Sequence, residues 1–304
     1  MNLTHALLRL LVFPGLLFAV PVGWFFVWME RKVVAKAQSR IGPPFMQPLF
    51  DFVKLMGKSM PPRPPGDSAL MRIWPILSVA ALLGALALLP VLPHSGGFSG
   101  DLVLLVGLLE LPSIFLIAAG FSSRSLFGEI GAAREAVLSI AYNVVFILAI
   151  VALGVSQNTF RLEDLTQGSP SPLRWIGIIG ILICIPAKLH LNPFSQPDAE
   201  QEIYAGPLTE YAGPELACWE LAHSLEWVAL TGLVACLIVP QTGVWYVDPL
   251  LLAAVSCAIV LALAGLAAAT ARLTIDDSVR FYWRCGFATA VLIACAALFM
   301  RRSL

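Results

Sequence analysis

Long apolar runs recur along this whole chain, and they restrict its fold more than any other feature. A helix needs about 20 mostly apolar residues to cross the hydrocarbon core of a bilayer. Only 12% of the residues are charged, whereas a soluble domain carries about twice that fraction. We therefore predict an all-α polytopic membrane protein forming one membrane domain over residues 1–304. We predict about eight spans, with these bounds: Ala6–Met29, Ile73–Leu92, Leu102–Phe121, Ala136–Val155, Leu173–Leu189, Leu216–Val239, Pro249–Thr270 and Phe281–Met300.

Lys and Arg residues collect in the loops on one side of the predicted spans. Fourteen of the 19 follow spans one, three, five and seven, and Lys188 at the end of span five is counted among them. Loops rich in Lys and Arg stay in the cytoplasm. We therefore expect these loops in the cytoplasm and both chain termini outside.

The first of these loops, residues 30–72, contains a segment with the periodicity of an amphipathic helix. Between Gln47 and Lys58, one face would carry apolar residues and another polar ones: Leu49, Phe52, Val53 and Met56 against Asp51, Lys54 and Lys58. The segment is too short to span, so it should lie along the membrane surface or pack on other helices. Gly42 and Pro43 predict a rigid turn before it. The alternative is a basic anchor at the membrane surface.

The second unusual region is an acidic loop, residues 190–214, together with the start of the helix after it. The stretch 191–226 contains seven carboxylates and neither Lys nor Arg: Asp198, Glu200, Glu202, Glu210, Glu215, Glu220 and Glu226. Close, partly desolvated carboxylates repel, so some should stay protonated near neutral pH, as a proton relay requires. A solvated acidic loop is the alternative, and it suits Asp198 and Glu200 better than Glu220 and Glu226.

Polar residues also lie inside two predicted spans. Glu110 lies near the middle of span three, next to Pro112, while Glu135 and Tyr142 share a face at the start of span four. An ionisable group at this depth costs several kcal/mol unless it faces protein or water. We therefore predict that Glu110, Glu135 and Tyr142 belong to the relay. For the neighbouring Ser139 and Asn143, ordinary hydrogen bonding between helices is the alternative.

The chain has no recognisable cofactor or metal motif. Its six cysteines include no CxxC pair, and its four histidines share no ligand spacing. Iron–sulfur clusters need clustered thiolates. We therefore predict no metal or cofactor in this chain and no catalytic residue, and we expect no nucleic-acid partner.

Two groups of motifs resemble the quinone-site membrane subunit of respiratory complex I. The first comprises Glu30-Arg31, Gln38, Arg40, Gly42-Pro43, Gln47-Pro48, Asp51 and Lys54-Leu55. The second comprises Pro193-Phe194, Ala199-Glu200, Glu202, Ala205-Gly206, Thr209-Glu210-Tyr211 and Gly213. The resemblance implies a docking surface or quinone-like cavity at Arg31, Gln38, Arg40, Gly42, Pro43, Gln47, Asp51 and Lys54. It also implies an ion relay through the carboxylates named above.

Within this framework, the chain is more similar to the homologous subunit of energy-converting, membrane-bound [NiFe] hydrogenases, including formate hydrogenlyase. Only Pro44-Phe45-Met46 separates the Gly-Pro from the Gln-Pro, where the complex I branch has a longer segment. Two positions depart from the complex I pattern. Tyr142-Asn143 stands where that branch has a Glu, and Ser195 stands where it has an Asp.

The resemblance implies a non-catalytic coupling subunit in the cytoplasmic (inner) membrane of a prokaryote. Its partners would be hydrogenase large and small subunits, an iron–sulfur subunit, antiporter-like membrane subunits and the lipid bilayer. The [4Fe-4S] clusters and the NiFe centre would lie in those partner subunits. Three alternatives remain open: a quinone-binding subunit of a complex I-type NADH dehydrogenase, a purely structural anchor, and a stand-alone transporter.

Overall fold

The computed structural model describes residues 15–59, 67–90, 101–123, 125–168, 170–203, 205–239, 244 and 246–302; side chains are described at these positions except 67–69, 200–201 and 297–302. These residues form α-helices and one short 3-10 turn, Gly206–Leu208, with no β-strand among them. The helices, in chain order, are α1 Leu16–Ala37, α2 Gln47–Met56, α3 Asp67–Leu88, α4 Leu102–Ser122, α5 Leu126–Gln157, α6 Leu162–Gln167, α7 Pro172–Lys188, α8 Glu200–Ile203, α9 Gly213–Ile238, α10 Val247–Ala269 and α11 Ile275–Arg302.

Six helices in the described part are long and apolar enough to cross a membrane by length and composition: α3, α4, α5, α9, α10 and α11. Two further predicted spans correspond to α7, which has 17 residues, and α1, which ends in a charged segment. The beginning of the first predicted span, Ala6 to Pro14, lies outside the described residues. The chain is therefore an all-α polytopic membrane protein, as predicted.

Most helices extend beyond the predicted spans because their polar ends continue the helix past the apolar run. Helix α5 begins at Leu126, ten residues before the predicted start at Ala136. The predicted amphipathic segment is confirmed as α2, with Pro48 in its first turn. The short helices α6 and α8 were not predicted, because six and four residues are too few to show a periodicity.

The chain alternates between two ends of the helix bundle. At one end, which we call the loop face, lie the segments 38–46, 189–203, 205–212 and 270–274. There the Leu273 amide donates to the Pro193 carbonyl over 2.9 Å. At the other end, the Arg174 guanidinium donates to the carbonyls of Gly168 (2.6 Å) and Leu237 (2.7 Å). This path agrees with the alternation of loops predicted from the sequence.

The core forms along two helix contacts, that of α5 with α7 and that of α9 with α3. Its largest fully buried side chains include Trp227, Tyr142 and Phe146. Helices α5 and α7 approach closely because α7 has glycines at the contact. A Cβ added at Gly177 would lie 2.8 Å from the Ala149 carbonyl oxygen. Small residues allow membrane helices to pack at such short range.

Candidate functional site

A cavity of about 210 Å³ lies at the loop-face end of the bundle. Helices α1, α2, α4, α7 and α9 and the acidic loop enclose it. Its charged and titratable lining residues are Arg31, Asp51, Lys188, His190, Asp198, Glu220, His223 and Glu226. Trp24, Phe52, Leu116 and Trp219 supply apolar walls. The volume is enough for several water molecules, so the cavity can bring water to the buried carboxylates.

His190 connects the acidic loop to the transmembrane helices. Its Nδ1 lies 2.8 Å from Asp198 Oδ2 in the loop, and its Nε2 lies 3.0 Å from Glu135 Oε2 in α5. The Glu135 side chain is fully buried. The imidazole therefore bridges a loop carboxylate and a membrane-embedded one.

The backbone at His190 is in the left-handed region, with φ of 51°. The Leu191 amide donates to Pro186 O over 2.8 Å, and the His190 amide donates to Ala187 O over 3.1 Å. This pair of bonds is the Schellman pattern that ends many helices, in which Gly usually takes the left-handed position. A residue with a Cβ costs about 1–2 kcal/mol in that conformation, so the helix end itself does not explain a histidine there.

Burial and neighbouring charges act in opposite directions on the pKa values of His190 and Asp198. Burial alone would lower the pKa of His190, but Asp198 and Glu135 together raise it well above its usual value. Burial would likewise raise the pKa of Asp198, but the neighbouring imidazolium lowers it. The favoured state is therefore a positively charged imidazole beside a carboxylate anion.

Lys188, two residues before His190, forms a second pair inside the bundle. Its Nζ lies 2.7 Å from Glu110 Oε1 and donates to the Leu109 carbonyl over 3.3 Å. The ammonium also lies 5.1 Å from the centroid of the Tyr142 ring, within range of a cation–π contact. Counting Lys188 as a loop residue was therefore wrong. Its side chain is fully buried because Glu110 on the facing helix neutralises it.

Tyr142 is fully buried, and its hydroxyl lies 3.1 Å from the Ser113 hydroxyl. Ser113 lines the cavity, one residue after the Pro112 noted in the sequence. Tyr142 thus contacts both the Lys188 ammonium and the Ser113 hydroxyl, and both of those residues line the cavity. Glu220 and Glu226 of α9 line the cavity. The other predicted relay residues of the bundle, Glu110, Glu135 and Tyr142, contact lining residues.

Other predicted relay residues lie outside the cavity. Glu202 is half exposed and binds Arg134 over 2.7 Å and also Arg272. The hydrogen bond from Arg134 is the largest effect that lowers the pKa of Glu202. Glu215 is buried, with its carboxylate 3.5 Å from Arg72. Glu210 is exposed. The side chain of Glu200 is outside the described residues, although its backbone begins α8.

Two of the predicted docking residues lie in the cavity wall. Arg31 and Asp51 line it, with Arg31 Nη1 4.0 Å from Asp51 Oδ2. Gln47 Nε2 donates to Asp51 Oδ1 over 2.8 Å. Asp51 faces the cavity, whereas Val53 and Met56 of the predicted apolar face are exposed.

The remaining docking residues form the outer surface beside the cavity. The Pro43 carbonyl accepts a hydrogen bond from Trp28 Nε1 over 3.3 Å, which fixes the turn against α1. Gly42 has φ of 70°, and a Cβ there would lie 3.0 Å from Ala35 Cβ. Gln38, Arg40 and Lys54 are exposed. These exposed side chains are accessible to a partner subunit.

Sequence reasoning missed the pairing roles of Lys188, His190 and Ser113. A usable signal existed for the first two, because Lys188 and His190 end an otherwise apolar span within three residues. Ser113 carried no signal, since an isolated serine in a membrane helix is common. Among the described residues, no group of three or more His, Cys, Asp and Glu side chains is arranged to hold a metal ion.

Comparison with known proteins agrees with this architecture. The sequence profile of the NADH dehydrogenase family matches residues 10–298. The fold is similar to a chain in the structure of the membrane-bound sulfane sulfur reductase, an archaeal respiratory membrane complex. The two chains share 27% sequence identity with a TM-score of 0.84, over 92% of this chain and 96% of that one. The chain therefore belongs to the NADH dehydrogenase family and is a complex I-like respiratory membrane subunit.

Proposed function

We propose that this chain docks a soluble redox arm on its loop face and couples electron transfer in that arm to H⁺ or Na⁺ translocation. The loop face would be cytoplasmic, in the inner membrane of a prokaryote. The chain itself would hold no metal or redox cofactor and would perform no bond chemistry. The [4Fe-4S] clusters would belong to its partners.

The observation that carries this proposal is the cavity and the buried ionisable groups around it. His190 and Glu135 connect the acidic loop to α5. Lys188 of α7 and Glu110 of α4 form a second pair inside the bundle. Groups of this kind inside a membrane are costly and mark ion pathways. A change of charge or shape at the loop face would therefore reach the middle of the bundle through direct contacts.

The loop face also suits the docking of a partner. Its turn at Gly42 and Pro43 is held against α1, while Arg40 and Lys54 are exposed beside it. Ile41 and Phe45 are also exposed, at 90% and 51%. Apolar residues within a basic surface are typical of a site for another subunit rather than of an unoccupied surface.

We further propose that the arm is a [NiFe] hydrogenase and that antiporter-like subunits complete the membrane part. The short Pro44–Met46 segment supports this branch. The cavity of about 210 Å³ is also smaller than the roughly 300–1,000 Å³ typical of sites for organic ligands. The structural relative belongs to a sulfane sulfur reductase, so membership of this fold family does not by itself specify the redox reaction.

A quinone-binding subunit of a complex I-type NADH dehydrogenase is the second candidate. The family match favours it, as does the cavity wall formed by Trp24, Phe52 and Trp219. In that case the cavity would hold a quinone headgroup rather than water alone.

Purification of the complex through a tag on this chain distinguishes the two candidates. We expect mass spectrometry to identify hydrogenase large and small subunits, and hydrogen evolution to continue after all quinone is extracted. Co-purification of an NADH-oxidising arm whose activity requires added quinone would contradict the hydrogenase assignment.

A further inference from the structure

We infer that His190 is the residue through which protons pass between the acidic loop and the acids buried in the bundle. The ion handled at this position would then be H⁺ rather than Na⁺. This inference rests on the proposed coupling function and identifies both the ion and the residue that selects it.

The geometry gives His190 a position that no other residue in the described part of the chain shares. Its ring nitrogens bond to Asp198 at 2.8 Å and to Glu135 at 3.0 Å. Asp198 belongs to the loop, which an arm would contact, and Glu135 belongs to the transmembrane helix α5. The imidazole is 12% exposed and borders the cavity, so water can reach it while both carboxylates hold it.

The chemistry of imidazole suits this position. With Asp198 close, the ring is protonated on both nitrogens. If the loop moves Asp198 away, the imidazolium loses a stabilising anion and Nε2 gives its proton to the Glu135 carboxylate. This transfer leaves a neutral imidazole and a neutral Glu135 carboxyl. When Asp198 returns, the imidazole takes a new proton from bulk solution through the water in the cavity. Glu135 passes its proton to an acceptor deeper in the bundle before the next transfer, so each cycle moves one proton inward.

The backbone supports a role for the side chain itself. Position 190 is the left-handed residue of a helix end, where Gly fits without strain and His does not. The histidine is therefore not explained by the turn. Its two carboxylate contacts are the remaining reason for an imidazole at this position.

The surrounding charges disfavour Na⁺. A hard cation such as Na⁺ prefers a shell of oxygen ligands. Here the imidazolium lies beside Glu135, and the Lys188 ammonium lies 2.7 Å from Glu110. Both carboxylates are already neutralised by protein cations that carry exchangeable protons.

Several charged groups on the packed elements act on the imidazole. Asp198 lies in the loop, Glu135 in α5, Lys188 in α7, and His223 and Glu226 in α9. Arg31 in α1, Asp51 in α2 and Glu110 in α4 lie at the cavity or next to it. If the loop is to change the proton affinity of His190, then Asp198 must be the group that moves. Asp198 is also the only one of these charged neighbours that lies in a loop rather than in a helix.

The test uses the purified complex in vesicles with the variants His190→Gly and His190→Asn. Glycine relieves the backbone and leaves space for free imidazole, and asparagine tolerates the same conformation but cannot relay a proton. We expect redox-driven proton uptake to fall about tenfold or more in both variants, with electron transfer within about twofold. Added imidazole should restore proton uptake in His190→Gly and should not change the wild-type rate.

The outcomes separate this inference from the proposed function. Normal proton uptake in both variants would overturn the role of His190. It would leave the proposed coupling function standing, because the wild-type complex would still build its gradient. Loss of uptake without rescue by imidazole, or sodium uptake that persists in His190→Gly, would also overturn it. A wild-type complex that transfers electrons and builds no ion gradient would instead contradict the proposed function.

Discussion

At the scale of single residues, the most consequential contact is the buried pair Lys188–Glu110. An ammonium and a carboxylate inside a bundle are each costly to remove from water, and their attraction offsets that cost only at short range. Nζ and Oε1 are 2.7 Å apart, and the lysine side chain is fully buried. Removing either side chain would therefore leave the other without its partner inside the bundle.

We predict that Lys188→Met destabilises the folded chain by about 3 kcal/mol, because it leaves Glu110 without its cation. The double variant Lys188→Met/Glu110→Gln should recover most of that loss, since no uncompensated charge remains. Thermal unfolding of the complex in detergent measures both effects. Lys36→Met, at an exposed lysine of α1, is the matched control. A single variant as stable as the wild type would show that Glu110 does not need the cation.

At the scale of elements, the acidic loop is held in place from several directions. Arg134 and Arg272 both bind Glu202, and Gln196 Nε2 donates to Ser278 Oγ over 2.6 Å. The bonds to the exposed Glu202 are screened by water and contribute little to stability. The loop position therefore depends more on better buried contacts, such as those of Gln196 with Ser278 and of His190 with Glu135.

We predict that this loop loosens as the pH rises. The pKa of His190 is raised on folding, so its contribution is fully present below its usual pKa of about 6.5. That contribution is lost as the pH rises through the raised value. The pKa of Asp198 is lowered, so its contribution is present above about 3.9 and is lost only as the pH falls further.

Hydrogen exchange of the amides in 190–203, corrected for the intrinsic rate, measures this effect across neutral and alkaline pH. We expect protection to fall with rising pH in the wild type, and His190→Asn to remove most of that dependence. Protection that increases with pH, or that is unchanged in the variant, would show that the histidine does not hold the loop.

The elements differ in how far the sequence predicts them. Long spans such as α4 and α9 follow from apolar runs, because a run of that length has few other stable folds. The amphipathic α2 follows from its spacing. The position of Asp51 in the cavity wall could not be predicted, since that wall also needs residues of α1 and α9. The pairing of Lys188 with Glu110 joins residues 78 positions apart, and no local pattern encodes it.

At the scale of the whole molecule, the fold brings together the two regions that the sequence identified separately. The first loop and the acidic loop meet at the loop face, and the cavity between them is lined by Arg31, Asp51 and Asp198. Glu110 and Glu135 lie deeper, in α4 and α5. Such an arrangement would couple events at the surface to the membrane interior through a contiguous set of contacts.

A gradient measurement on the complex in vesicles tests the coupling account most directly. The variants are Glu110→Gln, Glu215→Gln and Glu220→Gln, and the matched control is Glu163→Gln, at an exposed carboxylate on the opposite face of the bundle. The amide keeps the size of the side chain and its hydrogen bonding but cannot exchange a proton. We predict that electron transfer persists in the three variants while the pH or sodium gradient falls, and that the control matches the wild type. Normal gradients in all three variants would contradict the account and leave a structural anchor as the explanation of this chain.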